Sequence, residues 1–180
     1  MPYLDARRLL AEELEDAPFR STIVEPVGEL MEQLLAPWLA PLLEVGVIAY
    51  PLHAELPVSW LALDDLADEL ADAVTEAKPG RYAICGPEPL TGEEAADALA
   101  SAYARPVRWE TIDPVEYGEM MRRHAGDRNA LGTAGMYAAL GRGPLPTAPD
   151  PARLRVGETD LESWARARVR PGVRALAAAV

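Results

Sequence analysis

The chain has 180 residues, of which 17 are basic and 29 are acidic, so its formal net charge is −12. This length suits one domain with a sizeable core, and we expect residues 1–180 to form a single α/β domain. The negative charge disfavours nucleic-acid binding, because the phosphate backbone is itself negative. No run approaches the roughly 20 apolar residues of a membrane span, so no membrane segment is predicted.

Cysteine content and the N-terminal sequence indicate a cytoplasmic protein. Cys85 is the only cysteine, so an intrachain disulfide and a zinc site built on cysteine pairs are both excluded. The first residues, MPYLDARRLLAEELED, contain no apolar region of the kind found in signal peptides. Cytoplasmic localisation is therefore the expectation, and Cys85, inside a predicted strand, is expected to be a buried and inert thiol.

Hydrophobic periodicity divides the first part of the chain into short helices and strands. The predicted elements are a helix at 4–15, strands at 21–26, 45–50 and 58–63, a helix at 27–44, and a helix capped by Asp64 or Asp65. Pro37 and Pro41 should kink the helix at 27–44, since proline removes a backbone donor and clashes with the preceding turn.

The second part of the chain continues the alternation of strand and helix. We predict a strand at 82–86, a helix opened by Thr91 and Glu94 with capping-box spacing, a strand at 106–112, a helix begun by Asp113 and Pro114 and ended by Gly126, an irregular segment at 141–157, and a closing helix at 159–170. Strands 21–25 and 82–85 have the composition of buried parallel strands. Together these elements predict the α/β class.

Three stretches, in this order and spacing, resemble the NmrA-like branch of atypical short-chain dehydrogenases/reductases. They are ARRLLAEELEDAPFRSTIVEP, VSWLALDDLADEL and RYAICGPEPLTGEEAADALASAYARPVRW. The matching residues are Thr22, Ile23, Pro26, Asp65, Leu66, Ala67, Tyr82, Ile84, Gly86, Pro87, Glu88, Leu90, Thr91, Arg105, Pro106, Val107, Arg108 and Trp109. Gly157, Leu161, Glu162 and Trp164 match the family's closing helix. The resemblance covers essentially the whole chain and implies a Rossmann-like parallel sheet with flanking helices.

The main departure from that family concerns the cofactor. The family begins with a strand and a Gly-rich loop that holds the dinucleotide pyrophosphate, and no G-x-x-G-x-x-G occurs in these 180 residues. Gly86 follows a strand, but Pro87 and Pro89 remove two N–H donors that a phosphate would need, and GRGPLP at 141–146 is followed by no helix. The resemblance is thus to the later, substrate-side part, truncated on the N-terminal side. We expect no cofactor in this chain alone, and NAD(P) only if a partner chain supplies the loop.

Two further positions depart from the family or its superfamily. Glu25 stands where the family has arginine before proline. Tyr3 and Arg7 have the Tyr-x-x-x-Lys spacing of the wider superfamily, but arginine stays protonated and cannot take the role of the lysine. Lys78, the only lysine, falls in a turn where a solvated side chain is expected.

The candidate acids and bases are Glu25, His53, Tyr117 and His124. Glu25 follows a strand at the edge where α/β proteins bind ligands, and it is either a general base with a pKa raised by burial or an ion-pair partner of an arginine. His53 lies in a loop and is either an acid/base or simply solvated. Tyr117 and His124 share a helical face with two methionines, and this face either lines an apolar pocket or belongs to the core.

A substrate pocket for a small apolar organic compound is predicted beside these groups. Its lining residues are Gly28, Met31, Trp38, Trp60, Met120 and Met121. No spacing of histidines and carboxylates indicates a metal site.

Three functions remain open from the sequence. The first is an enzyme that lacks its own dinucleotide site and carries out cofactor-independent cyclisation, isomerisation or dehydration of an apolar carbonyl compound. The second is the substrate-side half of an NAD(P)H-dependent reductase completed by another chain, and the third is a non-catalytic regulatory or scaffold protein. An uncovered hydrophobic sheet edge also predicts a homodimer or a hetero-complex.

Overall fold

The computed structural model of the protein describes residues 2–76, 79–140 and 150–168. Within these residues the helices are α1 Pro2–Glu15, α2 Ala40–Glu44, α3 Leu63–Thr75, α4 Gly92–Tyr103, α5 Pro114–Leu140 and α6 Leu161–Arg168. The strands are β1 Thr22–Pro26, β2 Glu29–Leu30, β3 Val47–Tyr50, β4 Val58–Leu61, β5 Gly80–Cys85, β6 Pro89–Leu90, β7 Arg108–Thr111 and β8 Leu154–Val156. Short 3-10 helices span Met31–Leu35 and Pro151–Arg153. Four features considered in the sequence analysis lie outside the described residues: Lys78, the segment 141–146, the end of the closing helix at 169–170, and the side chain of Tyr3.

The largest parallel sheet joins β1, β5 and β8 in that order. Thr22 of β1 pairs with Gly80 of β5, and Ala83 of β5 pairs with Leu154 of β8. The parallel pairing predicted for strands 21–25 and 82–85 is therefore confirmed. The prediction that both are buried is wrong for β1, whose residues are half-buried or exposed, because β1 is the edge strand of this sheet and pairs on one side only among the described residues. In β5 only Ala83 and Ile84 are buried, and Cys85, expected to be buried, is half-buried.

Two smaller sheets lie beside the first. β4 pairs in parallel with β2 and antiparallel with β6, and β3 pairs in parallel with β7. In these pairings Glu29 lies opposite Trp60, and Ile48 lies opposite Trp109. The parallel pairs bring together segments that are distant in sequence, and helices cross between them as parallel strands require.

Helix N-termini follow their predicted chemistry at α4 and α5. The Glu94 backbone N–H donates to Thr91 Oγ1 over 3.3 Å, and Glu94 Oε2 accepts from the Thr91 backbone N–H over 2.8 Å. At α5, Asp113 Oδ1 accepts from the backbone N–H of Val115 over 2.7 Å. The capping box and the Asp-Pro start are both confirmed.

The N-termini of α3 and α6 differ from prediction because of a contact between distant residues. α3 begins after Ala62, and neither Asp64 nor Asp65 caps it. The Asp65 carboxylate instead accepts from the backbone N–H and the hydroxyl of Thr159, over 3.0 and 2.7 Å. With Thr159 engaged there, Asp160 caps α6 by accepting from the Ser163 backbone N–H over 2.7 Å.

Two segments differ from the predicted elements, and Gly126 acts as predicted. Residues 27–44 do not form one helix, because Gly28 turns the chain into β2 and Pro37 lies between the 3-10 helix and α2, whose first turn contains Pro41. Gly126, with the non-helical angles φ 79° and ψ 164°, ends the first helical part of α5, and a second helical part follows it. Residues 154–156, predicted irregular, form β8.

The core lies between the helices and the two smaller sheets. α4 and α6 pack against each other through small residues, which allow close approach, while Trp164 and Trp60 fill the larger spaces. The buried residues of these two helices are Gly92, Ala95, Ala96, Leu99, Ala102, Leu161, Trp164 and Ala165. Among the described residues, none of the helices is both long and apolar enough to cross a membrane.

Candidate functional site

A buried carboxyl group lies at the centre of the described fold, surrounded by hydrogen-bond donors. Glu29 is the only charged residue among the buried ones that the structure describes. Tyr50 donates its hydroxyl to Glu29 Oε2 over 2.8 Å, Tyr137 donates to the carboxylate over 3.0 Å, and Gln33 Nε2 donates to Oε2 over 3.2 Å. We name Glu29, Gln33, Tyr50 and Tyr137 the carboxyl–tyrosine cluster.

Four different elements bring the cluster together. Glu29 opens β2, Gln33 lies in the following 3-10 helix, Tyr50 ends β3, and Tyr137 lies in α5 beyond the interruption at 126. Gly28 permits this geometry: its φ is 98°, and a Cβ there would lie 2.2 Å from the Ser59 carbonyl oxygen. The glycine therefore lets β2 approach β4 with the Glu29 side chain directed into the protein.

Aromatic rings exclude water from the cluster. The Tyr50 ring centroid lies 5.5 Å from that of Trp60, 5.6 Å from those of Trp109 and Tyr117, and 5.8 Å from that of Tyr137. Burial raises the pKa of the Glu29 carboxyl, against hydrogen bonds that lower it. Burial, and then the negative charge of Glu29, raise the pKa of the Tyr50 and Tyr137 hydroxyls well above the ordinary value.

The count of protons in the cluster also favours a protonated Glu29. Tyr50 Oη lies 2.8 Å from Glu29, 3.0 Å from Gln33 Oε1 and 3.1 Å from Tyr137 Oη, and Tyr137 Oη lies 3.0 Å from Glu29. Two tyrosine hydroxyl hydrogens cannot fill all these oxygen–oxygen contacts, since each hydroxyl donates once. A proton on Glu29 would add a third donor for these four contacts, in agreement with the raised pKa of that carboxyl.

Trp38 and Tyr117 extend the polar groups beyond the cluster. The Trp38 indole Nε1 is buried, and among the residues that the structure describes no hydrogen-bond acceptor is in bonding geometry to it. Its proximity lowers the pKa of Tyr117, but burial, the larger effect, raises that pKa. His124, on the surface, lies with its ring centroid 6.1 Å from that of Trp38.

The predicted acids and bases fall in different places. Glu25 is not deeply buried (its side chain is 41% exposed), and it forms a two-pronged ion pair with Arg81 at 2.6 and 2.8 Å. His53 and His124 are exposed, whereas Tyr117 is buried against Tyr50 and Tyr137. The geometry thus gives Glu25 the ion pair that the sequence left open, and the catalytic roles of all four residues stay predictions.

The predicted pocket residues mostly belong to the core. Met31, Trp60 and Met121 are buried in it, Trp38 and Met120 pack against it, and Gly28 is exposed at the turn before β2. The core alternative for the methionine face therefore describes Met121 well. A groove of about 250 Å³ lies elsewhere, lined by Glu69, Asp72, Ala73, Glu76, Tyr82 and Arg155.

Sequence patterns missed Glu29, Gln33, Tyr50 and Tyr137. A helix predicted over 27–44 made Glu29 an ordinary polar position in an amphipathic pattern. One signal was present: Tyr50 ends the apolar strand VIAY, and a buried tyrosine hydroxyl needs a polar partner. No group of three or more His, Cys, Asp or Glu side chains in the described part of the chain could hold a metal ion.

The strand-end turns do not fit a dinucleotide phosphate. A Cβ at Gly86 would lie 1.7 Å from the carbonyl oxygen of Trp60, so the space that this glycine opens is filled by β4. The Gly86 N–H already donates to Ser59 Oγ over 2.7 Å. The space at Gly28 is likewise closed, by the Ser59 carbonyl oxygen of β4, so neither glycine lets a phosphate approach the backbone closely.

Comparison with known proteins gives one sequence relative and a structural neighbour. No protein-family model matches the chain. An alignment of 105 residues is 35% identical to an NAD(P)H azoreductase of Xenophilus azovorans, and it covers 56% of this chain and 35% of the azoreductase. The structure matches that of a nucleoside-diphosphate-sugar epimerase from Staphylococcus aureus with a TM-score of 0.64 and 22% identity, over 90% of this chain and 56% of the epimerase. The chain has a Rossmann-like α/β fold.

The predicted fold class is therefore confirmed, with a parallel sheet and flanking helices. At 22% identity, the epimerase defines the fold and nothing more about this chain. The chain spans about half the length of the epimerase and aligns with about a third of the azoreductase.

Proposed function

We propose that these 180 residues form the substrate-side part of an NAD(P)H-dependent reductase, whose dinucleotide is held by polypeptide outside them. The observation that carries this proposal is the 35% identity to an NAD(P)H azoreductase over 105 residues. The Rossmann-like fold agrees with it. The nicotinamide site is placed elsewhere because the turns after β1 and β5 are filled by β4.

The edge of β1 that no described strand covers is where we propose that such polypeptide joins. β1 pairs with β5 on one side, and among the described residues no strand covers its other side. Unpaired N–H and C=O groups on an edge strand recruit another strand. We propose that this edge makes the hetero-complex expected from the sequence, and a homodimer through the same edge is the alternative.

The first experiment tests where the dinucleotide binds. NADPH is titrated into the 180-residue chain and nicotinamide fluorescence is followed. We expect no saturable binding, because the glycines of the turns after β1 and β5, Gly28 and Gly86, are packed against β4 and leave no room for a phosphate. Saturable binding by the chain alone would overturn the claim that the dinucleotide site lies outside it.

The second experiment tests the substrate-side role. This chain replaces the aligned part of the azoreductase, and the chimera is assayed for NADPH-dependent reduction of an azo dye and of apolar ketones. We expect turnover, with Glu29→Gln lowering kcat about 10-fold or more, since general acid groups contribute at least that much. NADPH binding reports folding of the chimera. A chimera that binds NADPH but reduces none of these compounds counts against the proposal.

A second candidate function rests on the carboxyl–tyrosine cluster. A buried carboxyl group with a raised pKa beside two tyrosine hydroxyls suits acid/base chemistry without a cofactor. We propose as the alternative that the chain moves protons on a small apolar carbonyl compound, as in cyclisation, isomerisation or dehydration. Glu29 joins Glu25, His53, Tyr117 and His124 in the pool of acids and bases.

Proton exchange distinguishes the two candidates. The chain alone is incubated with apolar ketones in D2O, and loss of the protons next to the carbonyl is followed by NMR. Under the second candidate, exchange exceeds the buffer rate and falls in Glu29→Gln. If neither this exchange nor the turnover of the chimera is seen, the non-catalytic regulatory or scaffold function is favoured.

A further inference from the structure

Helix α3 presents a row of apolar side chains to solvent. None of its residues is buried. Leu63, Leu70 and Val74 are 41%, 46% and 81% exposed, and Ala67 and Ala71 are exposed between them. At 3.6 residues per turn, these five side chains lie within about 100° of arc, one continuous strip along the helix. We name them the α3 stripe.

Polar contacts fix the orientation that leaves the α3 stripe outside. Asp65 is held by Thr159 over 2.7 and 3.0 Å, and Glu69 lies 3.7 Å from Arg155. These two carboxylates, together with the half-buried Leu66 and Ala73, face the body of the protein, and the apolar stripe does not. A helix normally turns its apolar stripe inward, so this arrangement indicates that the α3 stripe has a partner.

The charges beside the stripe specify the chemistry of that partner. Residues 63–76 contain six acidic side chains and no basic one. Asp68 and Asp72 are exposed, and neither has an ion-pair partner among the described residues, whereas Asp64 lies 3.3 Å from Arg168. The acidic row borders the apolar strip on one side. A second copy of this chain would bring an identical acidic row and a further charge of −12, which opposes pairing of like surfaces.

A helix fits this surface better than a strand does. The stripe residues recur at intervals of three and four, which is the ridge spacing that packs into the grooves of another helix. A strand would need free backbone groups to pair with, and the α3 backbone is already bonded within the helix. We propose that the α3 stripe is a docking surface for a partner helix whose apolar strip is bordered by lysine or arginine.

The docking proposal is independent of the reductase proposal, and synthetic peptides test it. The binding of three peptides, each of about 18 residues, to the full chain is measured by fluorescence anisotropy. One has a leucine strip bordered by lysine, one has the same strip bordered by glutamate, and the third is a scramble of the lysine peptide in which the strip is broken. We expect the lysine peptide to bind at least about 10-fold more tightly than either of the others.

Variants locate the binding on the α3 stripe. Leu70→Asn with Val74→Ser should abolish binding of the lysine peptide, with helix content checked by circular dichroism. Val115→Ser with Leu131→Ser is the matched control, because both residues are 64% exposed but lie on α5. Asp68→Lys with Asp72→Lys should shift the preference toward the glutamate peptide.

Several outcomes would overturn the docking proposal. Equal binding of the scrambled peptide, or unchanged binding in the Leu70 and Val74 variant, would mean that diffuse charge attraction alone acts. A wild-type dimer in sedimentation that this variant dissolves would assign the stripe to a second copy of the chain instead.

Discussion

Replacing Glu29 with glutamine should change how stability depends on pH. Burial raises the pKa of Glu29 in the folded chain, whereas the pKa of this carboxyl in the unfolded chain is about 4.3. As the pH rises, the unfolded chain therefore loses its proton first. The folded state then binds more protons than the unfolded state, so the free energy of unfolding falls with pH until the pH passes the folded pKa.

The size of this effect follows from the surroundings of Glu29. Below the unfolded pKa both side chains are neutral and of similar shape, so Glu29→Gln should cost about 1 kcal/mol for altered hydrogen bonds to Tyr50 and Tyr137. Above the pKa of the unfolded chain, the wild-type protein should lose stability relative to the variant by up to about 1.4 kcal/mol per pH unit. The stability advantage of wild type over the variant should therefore shrink as the pH increases.

Urea unfolding of both proteins from about pH 4 to about pH 8 measures this difference, and other titrating groups cancel in the comparison. Glu25→Gln is the control, since it removes a carboxylate whose ion pair with Arg81 is partly exposed and worth about 0–1 kcal/mol. The Glu25→Gln variant should keep the pH-dependent loss of stability that Glu29 causes. A difference between wild type and Glu29→Gln that stays flat over this range would refute the inference that burial raises the pKa of Glu29.

Two further predictions concern the backbone around the site. Gly86→Ala should cost at least about 3 kcal/mol in urea unfolding, because the new Cβ would meet the Trp60 carbonyl oxygen. Gly132→Ala, where nothing lies within 4 Å, should instead stabilise by about 0.5–1 kcal/mol, and equal costs at both positions would contradict the packing of Gly86 against β4. Thr91→Ala should cost about 1 kcal/mol through loss of the cap with Glu94, and an unchanged melting temperature would show that the capping box contributes nothing.

Local chemistry made parts of the fold predictable from the sequence. The capping box of Thr91 and Glu94 depends on residues three apart, so its pattern survives in any context. The strands at 22–26 and 80–85 are apolar enough to be recognised, and their alternation with helices implied parallel pairing. Predictions of this kind were confirmed because each rests on neighbours in the chain.

The candidate site could not be found in the same way. Glu29 meets Tyr50 across 21 residues and Tyr137 across 108, and no periodic pattern links such positions. A competing local pattern also misled, since the apolar residues of 27–44 have helical spacing although Gly28 and two prolines divide the segment. The closing helix was predicted to begin at Thr159, but Thr159 instead holds Asp65, a contact across 94 residues, and α6 begins at Leu161.

The order β1-β5-β8 has a consequence for how the chain folds. Glu25 on β1 and Arg81 on β5 are 56 positions apart, and Cys85 on β5 and Arg155 on β8 are 70 apart. Each pairing must close a long loop before it gains any stabilising contact, so this sheet should be among the slowest parts of the protein to form. During synthesis, β5 stays without β8 until Leu154–Val156 have been made. In that interval β5 is a parallel strand with an open side, and this is the stage at which the nascent chain is most exposed to aggregation.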